Sequence, residues 1–135
     1  MVNVYVCIIG DLFHFGHVHF LEQASKLGDN LIVGVLDDEI SSYMKRPNIL
    51  NLNERCKVIE SCRYVDEVIK GCELRITREF IEQHQIDIVC INSRTTSKFI
   101  KDFYEVPLNM KKLVIIEDDR KTISKNEIIK RVKFS

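Results

Sequence analysis

Three of the chain's four histidines lie within six residues of one another, in the stretch "GDLFHFGHVHF" that begins at Gly10. His14 and His17 are three residues apart, so they share one face of a helix if the turn is already helical at His14. A helix N-terminus offers free N–H groups and a partial positive charge, and both suit a phosphate group. Two imidazoles there could donate hydrogen bonds to the phosphates of a nucleotide, and Gly16 would let a ligand approach the backbone.

Spacing alone leaves other interpretations of the histidines open. His19 is about 200° around the helix from His17, at about 100° per residue, so we expect it at the surface or in packing contacts. All three histidines could be incidental polar residues on a capped helix. A metal site is a third interpretation, but two histidines without a nearby third ligand do not make one. We therefore predict no metal-ligating residues.

The elements around the histidines alternate between apolar runs and helical patterns. We predict strands at 2–9, 30–36, 66–69, 86–92 and 112–117, and helices at 15–27 with Gly28 just past its end, 53–65 with Asn53 as N-cap, 76–85, and 124–132 capped by Ser124. Short buried strands alternating with helices are typical of βαβ units and a parallel sheet with helices on both faces. The fold class is therefore α/β, a three-layer Rossmann-like domain with a five-stranded parallel sheet. Ligands bind such sheets at the carboxyl ends of the strands, where the loop from Gly10 to Phe15 lies.

Composition narrows the class of protein further. The 20 acidic and 20 basic residues give a formal charge of zero, which disfavours a nucleic-acid or membrane-surface binder. The first residues lack the pattern of a signal peptide, and their apolar run is too short to insert into a membrane. Five cysteines without a CxxC pair indicate a reduced, cytoplasmic protein. No repeat or linker interrupts residues 1–135, so we predict a single domain.

Two blocks of the sequence carry a family resemblance. The "HFGH" stretch resembles the HxGH signature of the nucleotidyltransferase superfamily, and "GDLFHFGHVHFLEQASKLGDNLIVGVLDDE" is similar to the cytidylyltransferases. The block "KRPNILNLNERCKVIESCRYVDEVI" resembles choline-phosphate, ethanolamine-phosphate and glycerol-3-phosphate cytidylyltransferases. The resemblance is clear from Val2 to Ile69. It implies the HxGH type of Rossmann-like domain, transfer of CMP from CTP to a small phosphoalcohol or phosphonate with release of pyrophosphate, Mg²⁺ bound with CTP, and a homodimer.

The resemblance also implies roles for individual residues. It assigns His14 and His17 to the CTP phosphates, and Lys45 to a bridge between the two reacting phosphates, with Arg46 beside it. It assigns Arg63 to the phosphate of the acceptor, with Asp66 to orient it. Without the resemblance, "KRP" is an ordinary solvated loop and Arg63 a cation at a helix end.

Further residues complete the expected site. Asp11 shapes the first loop or holds Mg²⁺-bound phosphate, and Asp38 either contacts the nucleotide or caps a helix. Arg120 is expected to act on the triphosphate as a catalytic cation. The full nucleotide-binding set that the resemblance implies is Ile9, Gly10, Asp11, Gly16, Asp38, Thr122 and Ser124.

The sequence departs from the family pattern in three places. Ile8, Ile9, Gly10 and Asp11 stand where the family has G-x-F-D. The closing motif R-T-x-G-I-S-T-T becomes "DRKTISKNEII", in which Lys125 and Asn126 replace two threonines. In "INSRTTS", the residues Arg94, Thr95 and Thr96 could line the pocket or form a polar loop that caps the next helix. A diverged nucleotide-binding paralogue with little catalysis and an ATP-dependent adenylyltransferase are therefore the alternatives.

Overall fold

The structure is a computed structural model that describes residues 1–42, 48–117 and 123–134. The described residues form a five-stranded sheet in the order β3-β2-β1-β4-β5. Its strands are β1 (Asn3–Ile8), β2 (Asn30–Leu36), β3 (Glu67–Cys72), β4 (Ile88–Asn92) and β5 (Leu113–Ile116). All neighbouring strands pair in parallel, which confirms the fold class.

Helices cover both faces of the sheet. They are α1 (Phe15–Ser25), α2 (Asp38–Ser42), α3 (Leu52–Glu60), α4 (Arg78–Gln83), α5 (Ser97–Phe103), α6 (Glu105–Asn109) and α7 (Lys125–Lys133). Val4 and Val6 of β1 belong to a core cluster with α1 and α3, whereas Tyr5 belongs to a second cluster with α4. This alternation follows from the two-residue period of a strand, and it produces the three layers.

Strand order reverses next to β1. The chain runs from β1 through β2 to β3 on one side and then crosses to β4 on the other side of β1. In open parallel sheets the crevice at such a reversal, outside the carboxyl ends of the strands, is where ligands bind. The loop that follows β1 and carries the histidines therefore lies at the expected ligand site.

Several predicted boundaries are wrong. The predicted helix 53–65 is α3, which ends at Glu60, and its N-cap is Asn51 rather than Asn53. Asn51 and Glu54 each accept a hydrogen bond from the other's backbone N–H, at 2.9 Å in both directions, which is a capping box. The predicted helix 15–27 ends two residues early, at Ser25, and 76–85 shortens to Arg78–Gln83. In contrast, Ser124 caps the last helix as predicted, accepting from the backbone N–H of Glu127.

Two short helices, α2 and α6, were not predicted, because five residues are too few to show a helical period. The five cysteines are all free thiols. Among the residues that the structure describes, no helix has the length and apolar character that crossing a membrane requires.

Candidate functional site

The two histidines form a reciprocal cap at the start of α1. His14 is the N-cap residue, with extended backbone angles of φ −138° and ψ −178°. Its Nδ1 accepts a hydrogen bond from the backbone N–H of Gly16 at 3.0 Å. In return, Nδ1 of His17 accepts from the backbone N–H of His14 at 3.1 Å. His14 is thus outside the helix rather than on its face, and the cap brings the two ring centroids to 4.0 Å.

This cap determines which nitrogen of each ring carries the proton. A nitrogen that accepts a hydrogen bond has no proton, so in the neutral form of both rings the proton is on Nε2. Burial lowers the pKa of His14. Burial, together with the neighbouring His14, lowers the pKa of His17 to about 3. At neutral pH the pair therefore offers two neutral Nε2–H donors beside a helix N-terminus.

Neighbouring side chains support this arrangement. Phe13 stacks on the His17 ring, with centroids 5.3 Å apart and planes inclined by 10°. His19 does not join the pair, and its ring lies 6.1 Å from that of Phe15. The stretch of three histidines therefore divides into a pair and a separate third ring, as predicted.

Gly16 is required by the protein's own packing. A Cβ on Gly16 would lie 2.6 Å from the carbonyl oxygen of Ile123 and 2.8 Å from Cε1 of His14. The close approach that we expected from a ligand is made by the segment that leads into α7. The N-terminus of α7, capped by Ser124, is therefore held beside the N-terminus of α1.

Asp11 joins three segments at this point. Its carboxylate is 2% exposed and accepts from the backbone N–H groups of Ile49 and Leu50 and from Nζ of Lys125, each at 2.8 Å. Burial opposes ionisation, but the hydrogen bonds from Lys125 and the two N–H groups outweigh it and hold the pKa of Asp11 below its ordinary value. Of the two roles considered for Asp11, shaping the loop is the one that its contacts support.

Arg55 is the residue that sequence reasoning missed. Its side chain is completely buried. Nη1 donates to the carbonyl oxygens of Ile9 at 2.6 Å and Leu36 at 2.7 Å, and Nε donates to that of Leu50 at 3.1 Å. Nη2 donates to Asp38 Oδ1 at 2.7 Å. The arginine of "NER" thereby ties the carboxyl ends of β1 and β2 to the loop before α3.

Asp38 and Ile9 both accept hydrogen bonds from this arginine. Besides Arg55, Asp38 accepts from the backbone N–H of Leu52, the first residue of α3, at 3.2 Å. Asp38 therefore accepts a hydrogen bond at the start of α3, which agrees with the helix-capping role, one of the two roles that we predicted. Gly10 follows Ile9 with φ at 72°, a left-handed angle that side chains disfavour, and a Cβ there would lie 2.7 Å from Cδ1 of Ile59.

The structure does not bring Arg63 and Asp66 to the histidines. Asp66 Oδ2 accepts from the backbone N–H of Leu31 at 2.8 Å, and its own N–H donates to the Leu31 carbonyl at 3.0 Å. Leu31 is at the amino end of β2, roughly 17 Å of strand from its carboxyl end at about 3.3 Å per residue. Arg63 is exposed in the turn just before Asp66. These contacts place Asp66 at the opposite end of β2 from the histidine loop of the same chain, and the roles of Arg63 and Asp66 toward the acceptor stay predictions.

The described ranges contain only some of the other predicted residues. Lys45, Arg46, Arg120 and Thr122 lie outside the described residues. Thr96 is the N-cap of α5, accepting from the backbone N–H of Phe99 at 3.1 Å, as the polar-loop interpretation of "SRTTS" proposed. Within the described ranges, no group of three or more His, Cys, Asp or Glu side chains could hold a metal ion.

Comparison with known proteins identifies the family. The family model described as "Cytidylyltransferase-like" matches residues 11–131, which is most of the chain. The chain belongs to the cytidylyltransferase-like family. This match confirms the resemblance that the two sequence blocks carried.

Individual relatives place the chain within the cytidylyltransferase-like family. It is 38% identical to choline-phosphate cytidylyltransferase A of Homo sapiens over 135 residues, 97% of this chain and 36% of that protein. It is 48% identical to ethanolamine-phosphate cytidylyltransferase of Dictyostelium discoideum over 81 residues, 58% of this chain and 22% of that protein. The chain thus spans about a third or less of these two relatives. A lipopolysaccharide core biosynthesis protein of Thermoplasma volcanium GSS1 shares the fold, with a TM-score of 0.71 and 24% identity over 88% of this chain and 97% of that one.

Replacing Arg55 by methionine should destabilise the protein by about 3 kcal/mol or more, because three carbonyl oxygens and Asp38 lose their buried donor. Urea unfolding measures this loss. Arg131→Met is the matched control, because Arg131 is an exposed helix residue paired with Glu127 and should cost about 1 kcal/mol or less. Equal stability of the two variants would contradict the role of Arg55.

The depressed pKa of His17, about 3 in the folded protein, predicts a loss of stability in acid. A histidine in the unfolded chain has a pKa of about 6.5, so below that pH the unfolded state binds more protons than the folded state does. The stability that the neutral ring contributes is complete above about pH 6.5 and decreases by up to about 1.4 kcal/mol per unit as the pH falls. His17→Asn keeps an acceptor for the cap but does not titrate, so its unfolding free energy between pH 7.5 and about 5 should fall less steeply. Parallel profiles for the two proteins would refute the assignment.

Proposed function

We propose that the chain transfers CMP from CTP to a small phosphoalcohol and releases pyrophosphate. The observation that carries the proposal is the reciprocal cap, which fixes two neutral histidine rings at the start of α1, directly after the loop that follows β1, in a cytidylyltransferase-like domain. The names of the relatives support CTP as the nucleotide and a phosphoalcohol as the acceptor.

The proposed reaction requires little covalent chemistry from the protein. A phosphate oxygen of the acceptor attacks the α-phosphorus of CTP, and the bond from that phosphorus to the pyrophosphate oxygen breaks. An acceptor phosphate is largely ionised at neutral pH, since its second pKa is about 6, so no general base is needed. Catalysis then consists of positioning the two phosphates and stabilising the charge that develops on the phosphoryl oxygens.

His14 and His17 have the properties that this stabilisation needs. Their Nε2–H groups are fixed by backbone hydrogen bonds before any substrate arrives, so no reorganisation is required during the reaction. Lys45, Arg46 and Arg120 are our proposed cations for the reacting phosphates, and Thr122 and Ser124 complete the nucleotide site. These assignments rest on the family resemblance.

We propose that Mg²⁺ arrives bound to the phosphates of CTP. The chemistry of the nearby donors argues against a protein-held ion, since the carboxylate of Asp11 already accepts from Ile49, Leu50 and Lys125. The protein's part is therefore to bind the nucleotide complex rather than to ligate the metal. The resemblance also supports our proposal of a homodimer, and the five free cysteines support our proposal of a cytoplasmic location.

The decisive experiment measures pyrophosphate release with each of the four nucleoside triphosphates. The acceptors are phosphocholine, phosphoethanolamine, glycerol-3-phosphate and a small phosphonate. We expect turnover with CTP and one of the phosphoalcohols. CTP binding without turnover would overturn the proposal in favour of a nucleotide-binding paralogue, and turnover with ATP alone would make the protein an adenylyltransferase.

Alanine at His14 or at His17 should each lower kcat by about 100-fold or more, as expected for a lost transition-state donor. Because both residues also cap α1, the sharper variant is His14→Asn, which retains a good N-cap side chain but no Nε2–H donor. It should unfold like the wild type and still lose activity. His19→Ala is the matched control and should retain full activity, whereas an active His14→Asn enzyme would refute the proposed role.

A further inference from the structure

Helix α7 makes polar contacts to the histidine loop through its first turn, and its side chains are at most half-buried. None of its residues from Lys125 to Lys133 is buried. Val132, near its end, is 70% exposed, and Phe134 just beyond is 81% exposed. Apolar burial is what holds most helices in place, and here only Ile128 and Ile129 contribute half-buried apolar side chains, so the polar contacts of the first turn matter more than usual.

The structure provides two contacts at the start of α7. One is the ion pair between Nζ of Lys125 and the buried carboxylate of Asp11, at 2.8 Å. The other is the Ile123 carbonyl, which occupies the space beside Gly16 that a Cβ would fill. Both contacts are made with the histidine segment, because Asp11 lies in the loop before His14 and Gly16 lies between the two histidines. The position of α7 is therefore linked to the histidine pair.

The Lys125–Asp11 pair differs from an ordinary surface ion pair. The Asp11 side chain is 2% exposed and that of Lys125 is 23% exposed, so solvent screens their attraction less than it screens an exposed pair. Asp11 is also held rigidly by the backbone N–H groups of Ile49 and Leu50. The ammonium of Lys125 thus meets a carboxylate whose position is already determined.

We propose that Lys125 is a positioning residue that docks α7 on the histidine loop before nucleotide arrives. The docked helix brings its capped N-terminus beside that of α1, so that one triphosphate can contact both. Preassembly of this kind strengthens binding because the ligand does not have to order the helix itself. The identity of the ligand rests on the proposed function, but the docking of α7 does not.

The test compares Lys125→Met, which removes the charge at similar length, with the conservative Lys125→Arg. Lys130→Met is the matched control, since it removes a lysine from the exposed part of the same helix. Hydrogen exchange of the α7 amides in the unliganded protein measures docking. We expect exchange at least about tenfold faster in Lys125→Met, and exchange close to that of the wild type in the other two variants.

Binding of inorganic tripolyphosphate, measured by calorimetry, tests the consequence for the site. We expect Lys125→Met to bind it about tenfold more weakly and Lys125→Arg to restore affinity. With an active enzyme, KM for CTP should rise by a similar factor while kcat changes by less than about threefold, because ground-state and transition-state binding are lost equally. In an Asp11→Asn background, Lys125→Met should add little further loosening of α7.

Two results would overturn the proposal. Unchanged exchange in α7 of Lys125→Met would show that the pair does not dock the helix, and weaker tripolyphosphate binding in that case would identify Lys125 as a direct phosphate contact instead. Faster exchange with unchanged affinity would show that docking does not organise the site. Neither the exchange nor the tripolyphosphate measurement requires turnover, so failure of the proposed function would be seen separately, in the pyrophosphate assay.

Discussion

The guanidinium of Arg55 is the group around which the carboxyl edge of the sheet is organised. A buried cation is costly unless oxygen atoms surround it, and this one has carbonyl oxygens from the ends of β1 and β2 and from Leu50, together with Asp38. Asp11 carries the opposite charge and lies in the loop that follows β1. The peptide groups of Leu50 are held from both sides, because its N–H donates to Asp11 and its carbonyl accepts from Arg55. These hydrogen bonds therefore hold the loop after β1, the end of β2 and the loop before α3 in fixed positions relative to one another.

The histidine pair depends on the same rigid edge. Its rings are held by backbone N–H groups, so the geometry of α1 determines both their positions and their protonation. Protonating Nδ1 would abolish the hydrogen bond that the ring accepts, so the cap and a neutral ring support each other. Burial acts in the same direction on the pKa of both rings. On the proposed function, this is a site whose donors are organised by folding rather than by substrate.

Much of this arrangement could be predicted from the sequence, and the failures have identifiable causes. Apolar runs predicted four of the five parallel strands, and the short stretch "DEVI" predicted β3. Ser124 was predicted as a cap because its hydroxyl precedes a clear helical pattern. Asn51 and Asn53 are both plausible N-caps, and only the Glu54 partner distinguishes them. Arg63 and Asp66 lie away from the histidines of the same chain because, in a βαβ unit, the residues between a helix and the next strand return to the amino edge of the sheet. The burial of Arg55 had no local signal, since arginine is usually exposed.

The unusual residues at the two ends of the sequence meet at one place. In the first loop, Ile8 packs against the core cluster of Val4 and Val6, and the sharp left-handed turn falls to Gly10, which lies against Ile59. Ile8 can thus stand where the family has glycine, because the left-handed backbone conformation is adopted two positions later, by Gly10. At the other end, Lys125 stands where the family has threonine and reaches Asp11, the residue directly after that turn. Asp11 is buried and fixed by backbone N–H groups, so Lys125 meets a carboxylate that cannot turn away from it. The two departures from the family pattern therefore lie beside the same carboxylate.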